Sequence, residues 1–302
     1  MLAELESTNL SELSSITDYI RWGASRFVDA ELSYSHGLSS PLDEATYIVL
    51  RSLNLPVDTP NVYWASVLTS IEKDTVLKTL KKRILDKVPA AYIFKEGWFA
   101  GLQFYIDERV LVPRSPIAEL VENQFSPWVD ADDIYNVLDL CTGSGCIGIA
   151  CAYAFPQADI DLSDVSPEAL EVANINIDKH DAHQRVTAIE SNIFNKLQGK
   201  VYDIIVSNPP YVDAEDMIDL PQEFHSEPEL GLSSGADGLD LTRVILQQAH
   251  QYLTDNGILV VEVGNSQYAL MELFPEMPFQ WVDFERGGDG VFVLTKQQLE
   301  SL

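Results

Sequence analysis

Asn208-Pro209-Pro210-Tyr211 follow an apolar, β-branched run from Tyr202 to Val206 that reads as a buried strand. The tetrapeptide is therefore a stiff loop at a strand's carboxyl edge, where open α/β sheets keep their chemistry. Each proline fixes its own φ and disfavours helix at the residue before it. Such a loop holds one side-chain amide and one or two backbone carbonyls still beside an aromatic face. These groups suit a planar target that carries an NH2 group: the acceptors take its two hydrogens and the ring takes its face. A side-chain amide or the exocyclic amine of a base fits. A carboxylate, with no proton to donate, does not.

A second loop carries chemistry of another kind. Val137 to Gly148 reads as a strand, a tight glycine turn and a helix start, with Asp139 at the strand's end and Thr142, Gly143 and Gly145 in the turn. A helix start offers free N–H groups to a ligand. Gly143 to Gly148 matches G-x-G-x-x-G, with Asp164 about twenty residues on, a pattern shared by NAD, FAD and S-adenosylmethionine sites. Asp164, at the end of the second strand, is the candidate for the ribose hydroxyls, and Asn192, after the third, for the adenine. Asp139 is placed to meet a ligand ammonium, and Asn-Pro-Pro-Tyr lies across the same crevice. Hydride transfer has no use for that loop, so the two features together point to S-adenosylmethionine.

The elements that position these loops alternate. Strands are expected at Ile134–Asp139, Asp159–Asp164, Val186–Ile189, Tyr202–Val206, Ile258–Val263, Phe279–Phe284 and Gly290–Leu294. Helices are expected from Cys146 and over Pro167–Lys179, Leu241–Leu253 and Gln267–Phe274. This is the pattern of a doubly wound, mostly parallel α/β sheet. Residues 1–90 read instead as helical, with helices at 15–35, 41–53 and 74–88. The last carries a basic face of Lys78, Lys81, Lys82, Arg83 and Lys87 and is expected to stop at Pro89. Ala91–Phe94 and Phe104–Ile106 read as two short strands of a hairpin. The division is thus a helical domain over 1–90, a hairpin linker over 91–112 and a catalytic domain over 113–302.

Charge is uneven. Of the net −28, residues 1–90 contribute −3 and residues 91–302 contribute −25. Such a surface repels phosphate backbones, so duplex nucleic acid is a poor partner and a basic polypeptide a good one. Residues 213–240 hold nine acids and no Lys or Arg. The stretch lacks clear periodicity and reads as a lid that docks a basic protein. No 18-residue apolar stretch appears, and the first 17 residues carry no base and no apolar run, so neither a membrane span nor a signal peptide is expected. Cys141, Cys146 and Cys151, spaced by five without a nearby histidine, read as buried reduced thiols of a cytoplasmic protein.

With the glycine turn, Asn-Pro-Pro-Tyr and Arg114 in view, the chain resembles the protein N(5)-glutamine methyltransferases that modify translation proteins. Two branches of that family exist, one acting on peptide chain release factors and one on the third protein of the large ribosomal subunit. Arg114-Ser115-Pro116 matches the ribosomal-protein branch, where the other usually shows Arg-Pro-Glu/Asp-Thr-Glu. So do Cys141 in Asp139–Cys146, the runs Tyr211–Met217 and Glu227–Leu232, and Gly287–Phe292. Asn192 departs from the Asp usual at its position, although an amide oxygen still accepts a hydrogen bond. The resemblance implies a class I fold, a seven-stranded, mostly parallel sheet with an antiparallel edge strand behind a small helical substrate-recognition domain. It also implies S-adenosylmethionine as methyl donor, Arg114 among the residues that serve the cofactor, and a basic ribosomal protein as substrate. Asn208 and the Pro209 carbonyl would then hold the target NH2, with Pro210 and Tyr211 against its plane. The rival readings are the release-factor branch, an adenine N(6) methyltransferase, an NAD-dependent oxidoreductase and a non-catalytic ribosome-assembly factor.

Overall fold

The computed structural model describes residues 12–34, 38 and 40–301, which fall into two compact units. The first 11 residues and Ser35, at the end of the first expected helix, lie outside the described residues.

The first unit spans residues 1–95 together with 221–226. Its helices are α1 (Ile16–Asp29), α2 (Pro41–Ser52), α3 (Ser70–Leu85) and the short α4 (Ala90–Phe94). Each long helix starts on a side-chain cap. Ser15 and Asp18 form a reciprocal capping box on α1, as do Thr69 and Glu72 on α3, and Ser40 precedes Pro41 at the start of α2. Their apolar faces meet in one core that includes Ile16, Ile20, Phe27, Ile48, Leu80 and Ile84. α3 begins earlier than the apolar pattern indicates, because Thr69 caps it, and ends at Leu85. Lys87 takes a positive φ, and Pro89 precedes α4 instead of stopping α3. Ala91–Phe94, expected as a strand, are therefore helix.

Arg83 does not belong to an exposed basic face. Its side chain is 1% exposed and bonds Glu44 at 2.8 Å, Glu223 at 3.1 Å and the Ser33 carbonyl at 2.9 Å. Glu223 reaches this unit on the excursion of residues 221–226 and also accepts from the Ser33 N–H at 2.9 Å. A buried guanidinium with two carboxylates satisfies the rule that buried charges must be paired.

The second unit spans 96–220 and 227–302. It opens with a hairpin of β1 (Glu96–Phe99) and β2 (Leu102–Tyr105), turning at Ala100 and Gly101, both at positive φ. The hairpin read as a linker is thus counted wholly with this unit. Asn176 bonds both backbone groups of Tyr105, accepting at 2.7 Å and donating at 3.0 Å, and so extends the β2 edge with a side-chain amide. Then follow α5 (Ile117–Glu122), β3 (Asn136–Leu140), α6 (Cys146–Ala154), β4 (Asp159–Asp164), α7 (Pro167–Lys179), β5 (Val186–Glu190) and β6 (Tyr202–Ser207). After α8 (Asp216–Asp219) come α9 (Asp240–Gln248), β7 (Leu253–Glu262), α10 (Gln267–Leu273), β8 (Gln280–Trp281), β9 (Val291–Thr295) and α11 (Lys296–Leu299).

Seven of these strands form one sheet in the order β5-β4-β3-β6-β7-β9-β8. The first five are parallel, and β9 runs antiparallel to both β7 and β8. Val137, Leu138, Ile204, Ile205, Val206, Leu259 and Val260 are fully buried. Each contributes about 1.5–3 kcal/mol relative to an exposed position. From β3 the chain first winds outward through β4 to β5, then returns to β6 on the other side of β3. The strand order thus reverses between β3 and β6, the place where open α/β sheets form a ligand crevice at their carboxyl ends. The sheet is α/β with helices between its strands. No helix among the described residues is long and apolar enough to cross a membrane.

Candidate active site

The predicted site residues stand in one row along the carboxyl edges of β5, β4, β3 and β6. Asn192 follows β5 and is exposed, Asp164 ends β4, and Asp139, Thr142 and Gly143 stand at the end of β3 and in the turn after it. Backbone bonds tie the row together: Ser191 N–H donates to the Asp164 carbonyl at 2.8 Å, and Thr142 N–H to the Ser163 carbonyl at 3.0 Å.

The glycine turn is organised by two carboxylates. Asp164 Oδ2 accepts from Gly143 N–H at 2.9 Å and its Oδ1 from Ser166 N–H at 2.9 Å. Asp139 Oδ2 accepts from the Thr142 hydroxyl at 2.6 Å and Gly148 N–H at 2.8 Å. Gly145 caps α6 at a φ of 81°. Gly148 is required by close approach, since a Cβ there would stand 2.1 Å from a Leu162 methyl and 2.9 Å from the Asp139 Cβ. Burial drives the Asp139 pKa up to about 7, against the lowering effect of its Thr142 and Gly148 bonds and helped by the nearby Asp164 charge. The other Asp139 oxygen, Oδ1, is buried and has no hydrogen-bond partner. A buried, orphaned carboxylate oxygen asks for a donor, and a ligand ammonium is one.

Across the switch point, the Ser207 hydroxyl donates to the Leu140 carbonyl at 2.6 Å. Leu140 and Ser207 are also the last pair in the β3–β6 register. Asn208 therefore leaves β6 level with Cys141, where the glycine turn begins. Asn208 is half-buried, and Pro209 and Pro210 are buried. Among the described residues, neither the Asn208 side chain nor the Pro209 carbonyl takes a hydrogen bond. Two acceptors are thus held beside the glycine turn with nothing engaging them. Tyr211 is half-exposed, and its hydroxyl donates to Glu262 at 2.9 Å.

Arg114 stands apart from the glycine turn in its bonding. Its guanidinium is engaged on both forks by Glu227, at 2.6 and 2.8 Å, and also donates to the Val112 carbonyl. Glu227 and Glu223, two of the nine acids of residues 213–240, are thus buried and paired, whereas Glu215, Asp216, Asp219, Glu229 and Asp240 are exposed. Sequence reasoning missed Glu262, Ser115, Ser207, Ser266 and Asn176. The one visible signal was an acid, Glu262, inside the apolar run Val260–Val263. The cysteines are all free, Cys146 and Cys151 buried and Cys141 half-buried.

Residues 126–236 match the methyltransferase small domain. The chain is 50% identical over 291 residues to a ribosomal protein uL3 glutamine methyltransferase of Francisella tularensis subsp. tularensis, covering 96% of this chain and 93% of that one. It is 47% identical over 290 residues to the ribosomal protein uL3 glutamine methyltransferase of Neisseria gonorrhoeae, covering 95% and 96%. The chain belongs to the uL3 glutamine methyltransferase family. Among solved structures, the hMettl16 catalytic domain in complex with the MAT2A 3'UTR hairpin 1 superposes with a TM-score of 0.50 at 14% identity, over 91% of this chain and 89% of that one. At that identity the likeness is one of fold.

The methyltransferase uses S-adenosylmethionine, and the residues of the row fit it. The orphaned Asp139 oxygen suits the donor's ammonium. Space is open above the turn, with no atom within 4 Å of where a Gly143 Cβ would stand. The Asp164 carboxylate is fixed beside the turn by the Gly143 and Ser166 N–H groups.

Proposed function

We propose that this enzyme transfers the methyl group of S-adenosylmethionine to the side-chain amide nitrogen, N(5), of a glutamine in ribosomal protein uL3. The observation that carries the reading is the pair of unengaged acceptors, the Asn208 side chain and the Pro209 carbonyl, fixed at the sheet edge beside the glycine turn. S-adenosylmethionine supplies an electrophilic methyl on a sulfonium.

The amide nitrogen is a poor nucleophile because its lone pair is delocalised into the carbonyl. Two acceptors for its two hydrogens hold it in line for displacement and favour pyramidal geometry, which frees the lone pair. Pro210 and Tyr211 pack the plane of the glutamine. Positioning and fixed dipoles supply most of the acceleration, and alignment of this kind reaches effective molarities of about 10⁵ M or more. The nitrogen becomes acidic as it gains the methyl, so its proton leaves to water and no catalytic carboxylate is assigned. On the cofactor side, Asp139 takes the ammonium, Asp164 the ribose hydroxyls and Asn192 the adenine, with Thr142, Gly143 and Gly145 shaping the turn and Arg114 supporting the same pocket.

The substrate is a basic ribosomal protein, met by the exposed acids Glu215, Asp216, Asp219 and Glu229. The helical unit takes part in its recognition. The setting is the cytoplasm, where ribosomal proteins are made. The test is a labelled-methyl transfer assay on purified uL3 and release factors in parallel, with the acceptor residue located by mass spectrometry. Methyl on a uL3 glutamine supports the reading. Label on release factor alone overturns it.

A further inference from the structure

Glu262 is the last residue of β7 and is only 5% exposed. An ionisable group at the end of the apolar run Ile258–Val261 is costly unless its bonds compensate. Both its oxygens are engaged: Oε1 accepts from the Tyr211 hydroxyl at 2.9 Å and Oε2 from the Ser115 hydroxyl at 2.5 Å. Ser115 Oγ in turn accepts from Ile117 N–H at 3.1 Å, at the start of α5. The β6–β7 register ends at the pair Ser207–Val261. One step beyond it, Glu262 stands level with Asn208.

The turn after β7 completes a cage around Tyr211. The Ser266 hydroxyl donates to the Tyr211 carbonyl at 3.0 Å. Gly264, at a φ of 47°, lies against the ring, and a Cβ there would stand 2.7 Å from a ring carbon. The tyrosine is therefore fixed at its hydroxyl, its ring and its carbonyl by residues of one short segment, Glu262–Ser266. Burial raises the Glu262 pKa, while Ser115, Tyr211 and Arg114 favour its ionised form and Asp289 opposes it.

We propose that Glu262 is a positioning residue for methyl transfer: it anchors the Tyr211 hydroxyl to Ser115 and so sets where the Asn-Pro-Pro-Tyr loop presents its acceptors and its aromatic face. The inference deepens the glutamine-methylation reading and rests on it for its effect on rate. Its structural core stands without it. Glu262 touches no reacting atom; it acts through Tyr211.

The experiment compares wild type with Glu262→Gln, Tyr211→Phe and the double variant, in two readouts. The first is kcat, KM for uL3 and Kd for S-adenosylmethionine. Glu262→Gln lowers kcat about 10- to 100-fold, with KM and Kd changed less than about three-fold, and the double variant is no worse than the poorer single one. The second is amide hydrogen exchange at Val212, whose N–H donates to the Leu232 carbonyl at 2.8 Å; it needs no turnover and quickens in both single variants. If Glu262→Gln folds poorly, Tyr211→Phe, which leaves the carboxylate in place, carries both readouts alone. An unchanged kcat with unchanged exchange, or losses that multiply in the double variant, overturns the proposal. Quickened exchange in a protein that does not methylate uL3 supports the anchor and overturns the substrate instead.

Discussion

Both oxygens of Glu227 accept from the Arg114 guanidinium, at 2.6 and 2.8 Å, and the same carboxylate accepts from Val112 N–H at 3.0 Å. One acid thus holds the segment that carries Ser115. Glu227→Ala removes all three bonds. The expected loss is about 3 kcal/mol, the low end for breaking a buried ion pair, because Arg114 is 24% exposed. Urea midpoints check it, and Glu227→Gln, which keeps an acceptor, loses less.

Asn208→Ala removes one of the two acceptors and leaves the glycine turn intact. Turnover falls about 10²- to 10³-fold, the range for deleting one preorganised polar group at the reacting centre. The Kd for S-adenosylmethionine stays within about two-fold. Single-turnover rates and calorimetric titration separate the two, and equal losses in both contradict the role given to Asn208.

Asp139 sets a pH dependence. Its pKa is raised from the ordinary value of 3.8 to about 7 in the fold. The folded chain therefore holds this proton where the unfolded chain has released it. The resulting stabilisation is complete below about pH 4 and disappears as pH rises through about 7. Cofactor-free enzyme loses stability relative to Asp139→Asn between pH 5 and pH 8, read from urea midpoints. An ammonium donated to the ionised carboxylate has the opposite preference. The affinity for S-adenosylmethionine rises over the same interval, and this rise is absent in Asp139→Asn.

We propose that the exposed acids Glu215, Asp216 and Asp219 steer a basic substrate. Their replacement by Gln and Asn lowers kcat/KM for uL3 several-fold at low salt and flattens its salt dependence, with kcat unchanged. Stopped-flow association at two ionic strengths measures it. Glu223 and Glu227 do not belong in that variant, because each is buried in an ion pair, with Arg83 and with Arg114.

The legible parts of this chain were those with local signals. The runs Ile134–Asp139 and Tyr202–Val206 announced buried strands. The glycines announced a turn, and Ser166-Pro167 marked the start of a helix. The strand-end placement of Asp139, Asp164 and Asn208 was legible because each closes such a run. What stayed hidden depends on partners far along the chain. Arg83 looked like one more lysine-like charge on a basic helix face, and only Glu44 and Glu223, 39 and 140 residues away, make it a buried ion. Glu262 stands out as an acid in an apolar run, but its partners Ser115 and Tyr211 lie 147 and 51 residues away. Pro89 predicts a stop, although proline serves equally well just before a helix, as it does here. Asn176, on a helix in the pattern, gave no hint that its amide completes a strand edge.

The cysteines around the glycine turn have a consequence for chemistry outside the catalytic cycle. Desolvation pushes the Cys146 thiol up to about 12 and raises Cys141 and Cys151 as well. Thiolate, the form that peroxide and alkylating agents attack, is then scarce at neutral pH. Slow labelling of Cys141, Cys146 and Cys151 by an alkylating agent at neutral pH is the expected outcome, measured by mass spectrometry over time.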